Sequence, residues 1–196
     1  MGTRCGDMDP AVVLHIQNQL GLSAKETDTL LNKKSGLLGV TGSSDLRAVI
    51  DAAHRGEPRG QLGLAMFVHR VKKYIGSYMA VLDGQRVAAW KTRPDCDVAY
   101  LSRAALSKPP AQVDAVIFSA GIGENSSIIR GLILDRMQGM GLEVDPALNA
   151  RMVGGKQGDI ATAASRVRLL VIPTDEEQCI AQQTLQVVAR AGGMAA

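Results

Sequence analysis

Two short apolar segments in the last third of the chain most limit what this protein can fold into. Residues 113–118 form an apolar, β-branched run, which a glycine-containing stretch and a helical pattern over residues 126–137 follow. Residues 166–172 form a second such run, before a polar loop and a helical pattern that ends near Arg190. Runs of this kind are typical of buried strands. Two strand–loop–helix units in series predict an α/β domain that binds its ligand at the carboxyl ends of the strands.

The chain before these units is predicted to be helical over about 84 residues. Asp9 is predicted to be an N-cap and Pro10 the first residue of a helix, and Gly21 is predicted to end that helix. Ser23 and Glu26 have the spacing of a capping box, which opens a second helix to about Lys33.

The next segments alternate between loop and helix. Residues 34–44 contain three glycines and little periodicity, which predicts a loop. Residues 45–54 predict a short helix closed by Gly56, and residues 58–82 predict the longest helix because apolar residues recur every three or four positions.

Residues 85–112 fit neither pattern. This segment holds the only tryptophan and three of the seven prolines, without amphipathic spacing. A structureless segment of this length is uncommon inside a compact domain. We expect an atypical insertion that is a surface loop or disordered.

Composition excludes several classes of protein. Because 46% of the residues are apolar and 21% are charged, a folded, soluble protein is expected. A net charge of +3, spread evenly, and 3% aromatic residues argue against a nucleic-acid partner. No apolar stretch is long enough for a membrane span. Three scattered cysteines indicate a reducing compartment, so a cytoplasmic location is expected, or an organelle if the source is eukaryotic.

The glycine-containing stretch after the first strand is a candidate ligand site. Its members are Gly121, Ile122, Gly123, Glu124 and Asn125. Glycines at such a turn allow close approach of a ligand, and a helix N-terminus favours an anion or nucleotide. The pattern lacks the third glycine of a dinucleotide fingerprint and the lysine of a P-loop. A turn that needs glycine only for backbone reasons explains the pattern equally well.

An acidic sequence follows the second strand. Thr174 and Glu177 have the spacing of a capping box, which accounts for Glu177. Glu176 is not accounted for in this way and is a candidate ligand for Mg²⁺. Elsewhere, Arg4 among acidic residues is compatible with a surface ion pair, and Asp45 is compatible with a helix cap.

Six segments in order are similar to the C-terminal half of the acetate kinase family. They cover residues 1–10, 31–39, 44–47, 74–76, 113–125 and 171–177. Cys5 stands where the family commonly has serine, and Ala120 where it commonly has glycine.

This resemblance implies a ribonuclease-H-like domain of the superfamily of acetate and sugar kinases, heat-shock ATPases and actin, with a helical N-terminal segment. It also implies a phosphotransferase that converts ATP and acetate to ADP and acetyl phosphate with Mg²⁺. A homodimer is expected, because the family dimerises through this half.

By the same resemblance, Arg4 corresponds to the arginine that stabilises the transferring phosphoryl group. Asp45, Leu46 and Arg47 correspond to a segment that contacts adenosine, and residues 121–125 to the loop that cradles it. Glu176 corresponds to the glutamate linked to magnesium.

The family's N-terminal catalytic half, with its His-x-Gly-x-Gly phosphate loop, has no counterpart in this chain, which is therefore expected to be inactive alone. A non-catalytic nucleotide-binding or dimerisation module and a propionate kinase remain open as alternatives. The resemblance includes no counterpart of residues 85–112, for which translated intron sequence is one hypothesis.

Overall fold

The computed structural model describes residues 1–82, 90–93, 96–101 and 113–192. The chain divides into two compact units, Met1–Ser77 and Tyr78–Ala196. The assignment of the whole chain to one domain stays a prediction. Within the described ranges, no helix has the length and apolar character needed to cross a membrane.

The first unit is helical, as the sequence predicts. Its helices are α1 (Pro10–Leu20), α2 (Ala24–Lys33), α3 (Gly36–Thr41), α4 (Leu46–His54) and α5 (Pro58–Leu82), the last of which runs on into the second unit. The predicted caps are confirmed. The Asp9 carboxylate accepts a hydrogen bond from the backbone N–H of Ala11 at 2.8 Å. Ser23 and Glu26 form the reciprocal capping box, and Gly21 ends α1 in the left-handed conformation.

Helix α3 contradicts the prediction of a loop over residues 34–44. The residues at the start of the chain supply its missing hydrogen bonds, because the N–H groups of Leu37 and Leu38 donate to the carbonyls of Met1 and Gly2 at 3.0 and 2.9 Å. Gly36 opens the helix at φ +63°, and an added Cβ there would lie 2.4 Å from the Met1 carbonyl oxygen. The glycines therefore mark a close approach of two chain segments, which local periodicity does not reveal.

Helix α5 packs closely on α4 and α3 at two buried glycines. An added Cβ on Gly60 would lie 2.7 Å from the Ala52 Cβ, and one on Gly63 would lie 2.3 Å from a methyl of Thr41. A buried apolar cluster accompanies this packing: Leu37, Leu46, Val49 and Ile50.

The second unit contains the predicted strand–loop–helix pairs. Its described elements after α5 are β1 (Trp90–Arg93), β2 (Cys96–Leu101), β3 (Ala115–Phe118), α6 (Ala120–Asn125), α7 (Ser127–Leu134), a 3₁₀ turn (Gln138–Met140), α8 (Pro146–Arg151), β4 (Gly158–Asp159), β5 (Arg168–Val171) and α9 (Glu176–Gly192).

Strands β3 and β5 are parallel neighbours, and β4 pairs antiparallel with the other edge of β5. Phe118 and Val171 are aligned at the carboxyl ends of the two parallel strands. The prediction of an α/β arrangement with two strands ending at one edge is confirmed. The buried residues around this sheet are aliphatic and include Ile129, Leu142, Ile160, Leu169 and Val171.

Two local predictions differ from the structure. The glycine stretch 119–125 is mostly a short helix, α6, rather than an open loop. The helix predicted over residues 126–137 ends earlier, at Leu134, and Arg136 follows in the left-handed region at φ 58°.

The atypical segment 85–112 is described only in part. Its strands β1 and β2 pair antiparallel, from Trp90 opposite Leu101 to Arg93 opposite Cys96, where loop or disorder is predicted. The rest of the segment lies outside the described residues. That the segment is an insertion stays a prediction.

Candidate functional site

A cleft lies at the carboxyl ends of the two parallel strands. It has a volume of ≈ 400 Å³ and is lined by Ala120, Gly121, Thr174, Asp175 and Glu177. Ligands of open α/β sheets bind outside the carboxyl ends of the strands. The structure therefore brings together the two polar segments that the sequence singles out in this part of the chain.

The two glycines of α6 have different surroundings. An added Cβ on Gly121 would meet no atom within 4 Å, whereas one on Gly123 would lie 3.2 Å from the carbonyl carbon of Phe118. Gly123 thus allows the helix to pack against the end of β3. Gly121 has no such packing reason to be glycine, and it lines the cleft.

This difference separates the backbone role from a ligand role. We expect Gly123→Ala to lower the free energy of unfolding by about 1 kcal/mol, because its methyl group pushes on the strand backbone. Gly121→Ala should raise it by up to about 1 kcal/mol, since alanine is the better helix former. Urea unfolding of the two variants measures this. Equal losses of stability would mean that both glycines serve the backbone alone.

Ala120 opens α6 in a conformation that suits glycine better. Its φ is 58°, in the left-handed region. For a residue with a Cβ this costs roughly 1–2 kcal/mol. The sequence departs from the family pattern here, and Ala120 is exposed at the edge of the cleft.

Glu124 joins the two strand–loop–helix units. Its Oε1 accepts hydrogen bonds from the backbone N–H and the hydroxyl of Thr174, at 2.8 and 3.0 Å. The Asn125 amide also links two chain segments, since Nδ2 donates to the Gly121 carbonyl and Oδ1 accepts from the N–H of Gly154, both at 3.1 Å. Both side chains hold the shape of the cleft wall in this structure.

Asp175 caps α9. Its carboxylate accepts from the N–H of Gln178 at 2.8 Å, whereas the predicted Thr174–Glu177 capping box would place the cap one residue earlier, at Thr174. That prediction is wrong because Thr174 bonds with Glu124 instead. Glu177 lines the cleft. Glu176 is the first residue of α9, but its side chain lies outside the described residues, so its magnesium role stays a prediction.

Arg130 is a buried residue that sequence reasoning missed. Its side chain is fully buried, with 0% relative exposure. The guanidinium donates to carbonyls at the ends of α6 and α8, those of Gly123, Glu124, Asn149 and Met152, at 2.6–2.8 Å. Its Nε donates to the Asn149 side-chain oxygen at 2.8 Å.

Burial lowers the pKa of the Arg130 guanidinium, although arginine keeps its proton in proteins. Carbonyls at helix C-termini carry partial negative charge, so the cation compensates two helix dipoles at once. Arg130 thereby fixes the α6 backbone behind the cleft. A single arginine in an apolar helical pattern gives no sequence signal for this role.

The first unit holds Arg4 in a segment that is tied to α2. The N–H of Cys5 donates to the Leu31 carbonyl at 2.8 Å, and the hydroxyl of Thr3 donates to the Asn32 carbonyl at 3.0 Å. Arg4 is exposed, and its Nε donates to the Asn32 side-chain oxygen at 3.2 Å.

Asp7 ties the same segment to α5. Its carboxylate accepts from the Tyr74 hydroxyl at 2.5 and 2.6 Å, and it pairs with Lys73 at 3.2 Å and Arg70 at 3.1 Å. These hydrogen bonds, that of Tyr74 first, lower the pKa of Asp7 to about 2. Arg70 also covers Gly6, whose added Cβ would lie 2.0 Å from its guanidinium.

The low pKa of Asp7 predicts a pH dependence of stability. A carboxyl group whose pKa is lower in the folded state stabilises above its unfolded pKa of about 3.9, and this contribution is lost as the pH falls towards 2. We expect Tyr74→Phe to raise the pKa of Asp7 and to reduce the loss between pH 4 and 2. Urea midpoints across this range measure the effect. Asp7→Asn should remove it, and an unchanged profile in both variants would contradict the assignment.

The segment expected to contact adenosine, residues 45–47, has one buried side chain between two charged ones. Asp45 caps α4 by accepting from the N–H of Arg47 at 2.9 Å, and its carboxylate pairs with the Arg47 guanidinium at 2.7 Å. This pairing lowers the pKa of Asp45. The Leu46 side chain is 5% exposed, so only its backbone could meet a ligand. The Arg47 side chain is 89% exposed.

Comparison with known proteins decides the family. The model of the acetokinase family matches residues 1–90 and 99–182. The chain belongs to the acetokinase family. The family resemblance, drawn from six short segments, is thus confirmed over most of the sequence.

Curated acetate kinases are similar along nearly the whole chain. The acetate kinase of Methanosarcina acetivorans is 43% identical over 188 residues, 95% of this chain and 39% of the relative. That of Nitratidesulfovibrio vulgaris strain DP4 is also 43% identical, over 96% of this chain and 40% of the relative. The chain therefore spans about two fifths of the length of the curated relatives it matches.

Solved structures of the family have the same fold. Porphyromonas gingivalis acetate kinase gives a TM-score of 0.75 at 36% identity and covers 96% of this chain, which spans 40% of that structure. A Francisella tularensis propionate kinase gives 0.73 at 32% identity, over 93% of this chain and 39% of that structure. The predicted α/β fold of the acetate and sugar kinase type, with a helical N-terminal segment, is confirmed.

Proposed function

We propose that this chain is the nucleotide-binding part of an acetate kinase-type phosphotransferase. In the proposed reaction, a carboxylate oxygen of acetate attacks the γ-phosphorus of ATP. The bond between that phosphorus and the β–γ bridging oxygen breaks, which gives acetyl phosphate and ADP. Catalysis of phosphoryl transfer consists mainly of positioning and charge stabilisation.

The observation that carries the proposal is the open side of Gly121 at the strand-end cleft. A Cβ added at Gly121 would meet no atom within 4 Å, which leaves room on this side of the backbone for a flat base or a ribose. The cleft volume of ≈ 400 Å³ suits part of a nucleotide. Exposed Ile122, with 43% relative exposure, offers an apolar contact beside it.

The described carboxylates fit Mg²⁺ held jointly with a nucleotide. Asp175 and Glu177 line the cleft, and the described residues include no group of three or more potential ligands that could hold a metal by themselves. Mg²⁺ is commonly held by one or two carboxylates together with substrate phosphates and water. When bound, it would neutralise charge on the phosphates. Glu176 is proposed as the magnesium-linked glutamate from the family resemblance.

Arg4 is proposed to stabilise the transferring phosphoryl group. Its guanidinium is permanently charged and planar, and it is exposed for contact with an anion. Asp45, Leu46, Arg47 and residues 121–125 are proposed to contact the adenosine moiety. We expect no acetate-dependent turnover from this chain alone, because it spans 39% of a relative such as the M. acetivorans enzyme.

Calorimetric titration of the chain with ADP and ATP, with and without Mg²⁺, tests the proposal. We expect weak binding that Gly121→Val lowers at least about tenfold, because the side chain fills the cleft. Gly139→Val is the control, since its added Cβ would also meet no atom but lies away from the cleft lining. Equal affinity in wild type and Gly121→Val would contradict the nucleotide site.

Two alternative functions can be tested with the same purified chain. The similarity to a propionate kinase structure, over 93% of this chain and 39% of that structure, supports propionate as the acyl substrate. A non-catalytic nucleotide-binding or dimerisation module would bind ADP but give no acyl-dependent ADP formation in the presence of the remaining enzyme half. The homodimer and the cytoplasmic location stay predictions.

A further inference from the structure

The residues before and after Arg4 are fixed to the last turn of α2. Thr3, Arg4 and Cys5 each donate a hydrogen bond to this turn, to the Asn32 carbonyl, the Asn32 side-chain oxygen and the Leu31 carbonyl respectively. The backbone on both sides of Arg4 is thus held, and its side chain has a defined anchor.

The Asn32 amide has a defined orientation. Its Nδ2 donates to Oδ1 of Asp28, four residues earlier on the same helix, at 2.8 Å. An amide has one acceptor and one donor end, so this bond turns Oδ1 of Asn32 towards Arg4. Asn32 is half-buried, so water competes less for the hydrogen bonds of its amide.

The guanidinium of Arg4 therefore has one edge engaged and one edge available. Its Nε donates to Asn32, and the two terminal nitrogens make no hydrogen bond with the described residues. Two parallel N–H donors match two oxygens of a phosphoryl group in a bidentate contact.

We propose that Asn32 is a positioning residue for Arg4, which aims the terminal guanidinium edge at a phosphoryl group, and that Asp28 fixes the orientation of the Asn32 amide. This inference rests on the proposed function of Arg4. Neither Asn32 nor Asp28 touches the reacting atoms in this assignment. They orient the Arg4 side chain before binding, so it loses less conformational entropy when the phosphoryl group binds.

Titration of the 196-residue chain with inorganic pyrophosphate, followed by NMR at the Cys5 and Gly6 amides, tests this. We expect Arg4→Gln to weaken binding about tenfold and Asn32→Ala about three- to tenfold, as loss of a charge-assisted contact and of its orientation predicts. The double variant should bind no more weakly than Arg4→Gln. The Arg4 Nε–H signal should exchange slowly in the wild type and rapidly in Asn32→Ala.

A matched pair at Asp28 separates the hydrogen bond from charge. Asp28→Ala and Asp28→Asn both remove the carboxylate charge, but only asparagine keeps an oxygen for Asn32 Nδ2. We expect Asp28→Asn to bind pyrophosphate several-fold more tightly than Asp28→Ala. Thr29→Ala, a half-buried change on the same helix, is the control and should leave binding unchanged.

Two results would overturn the inference, and they differ in whether the proposed function of Arg4 also fails. If Arg4→Gln weakens binding but Asn32→Ala and both Asp28 variants bind like the wild type, Asn32 does not position Arg4, and the proposed function stands. If Arg4→Gln has no effect, the phosphoryl role of Arg4 fails together with the inference. Should Asn32→Ala loosen α2, the Asp28 pair still decides the question.

Discussion

Arg130→Met is expected to lower the free energy of unfolding of the second unit by about 3–5 kcal/mol. The methionine fills much of the space but donates nothing to the five acceptor atoms that Arg130 satisfies. Each buried acceptor left without a donor costs roughly 1–3 kcal/mol, and water that enters the site recovers part of the total. The C-termini of α6 and α8 also lose their compensating charge.

Hydrogen exchange in urea, read on peptides from residues 113–175, measures this loss within the second unit. Arg130→Lys keeps the charge without the planar fork, so we expect an intermediate loss. Arg136→Met is the surface control, because the Arg136 side chain is 91% exposed, and it should leave stability unchanged. If Arg130→Met were as stable as Arg136→Met, the five hydrogen bonds would not hold the α6 backbone.

Gly36→Ala is expected to lower the free energy of unfolding of the first unit by about 3 kcal/mol. The added methyl group must adopt the left-handed conformation, at roughly 1–2 kcal/mol, and meets backbone that cannot rotate away. Its nearest atoms would be the carbonyl oxygens of Met1 at 2.4 Å and Arg4 at 2.8 Å. The start of the chain must move, so the N–H groups of Leu37 and Leu38 lose their acceptors.

Gly42→Ala provides a matched control at the other end of α3. Gly42 has φ +81°, but an added Cβ there would meet no atom within 4 Å. It should therefore show only the cost of the backbone conformation. Faster hydrogen exchange at Leu37 and Leu38 in Gly36→Ala, and not in Gly42→Ala, is the expected readout. Equal losses in the two variants would contradict the close approach of the Arg4 segment to α3.

Local signals in the sequence predict the caps and the parallel strands well. Asp9, Ser23 and Glu26 act on backbone groups within three residues, so their spacing alone determines the hydrogen bonds. The strands at residues 113–118 and 166–172 are short apolar runs, and the parallel sheet of β3 and β5 follows from them.

Long-range contacts explain what the sequence could not predict. Helix α3 needs carbonyls from residues 1 and 2, and glycine-rich composition by itself indicates a loop. The cap of α9 moves to Asp175 because Glu124, 50 positions before Thr174, binds that residue's hydroxyl and N–H. Arg130 requires the ends of two helices to meet, which only the tertiary structure provides.

The candidate site was likewise predicted only in part from the sequence. Family resemblance selected residues 121–125, but it did not distinguish Gly121, which is open, from Gly123, which packs on Phe118. It also selected Glu124 and Asn125 as nucleotide contacts, whereas their side chains bond with Thr174, Gly121 and Gly154 in this structure. The direct nucleotide contacts of these two residues stay a prediction.

The most direct test of the nucleotide-binding assignment is an NMR titration of the chain with ADP and Mg²⁺. We expect chemical-shift changes at the backbone amides of Gly121, Ile122 and Thr174 at millimolar nucleotide, with α1 unchanged. Shift changes confined to other parts of the chain, or none at saturating nucleotide, would contradict it.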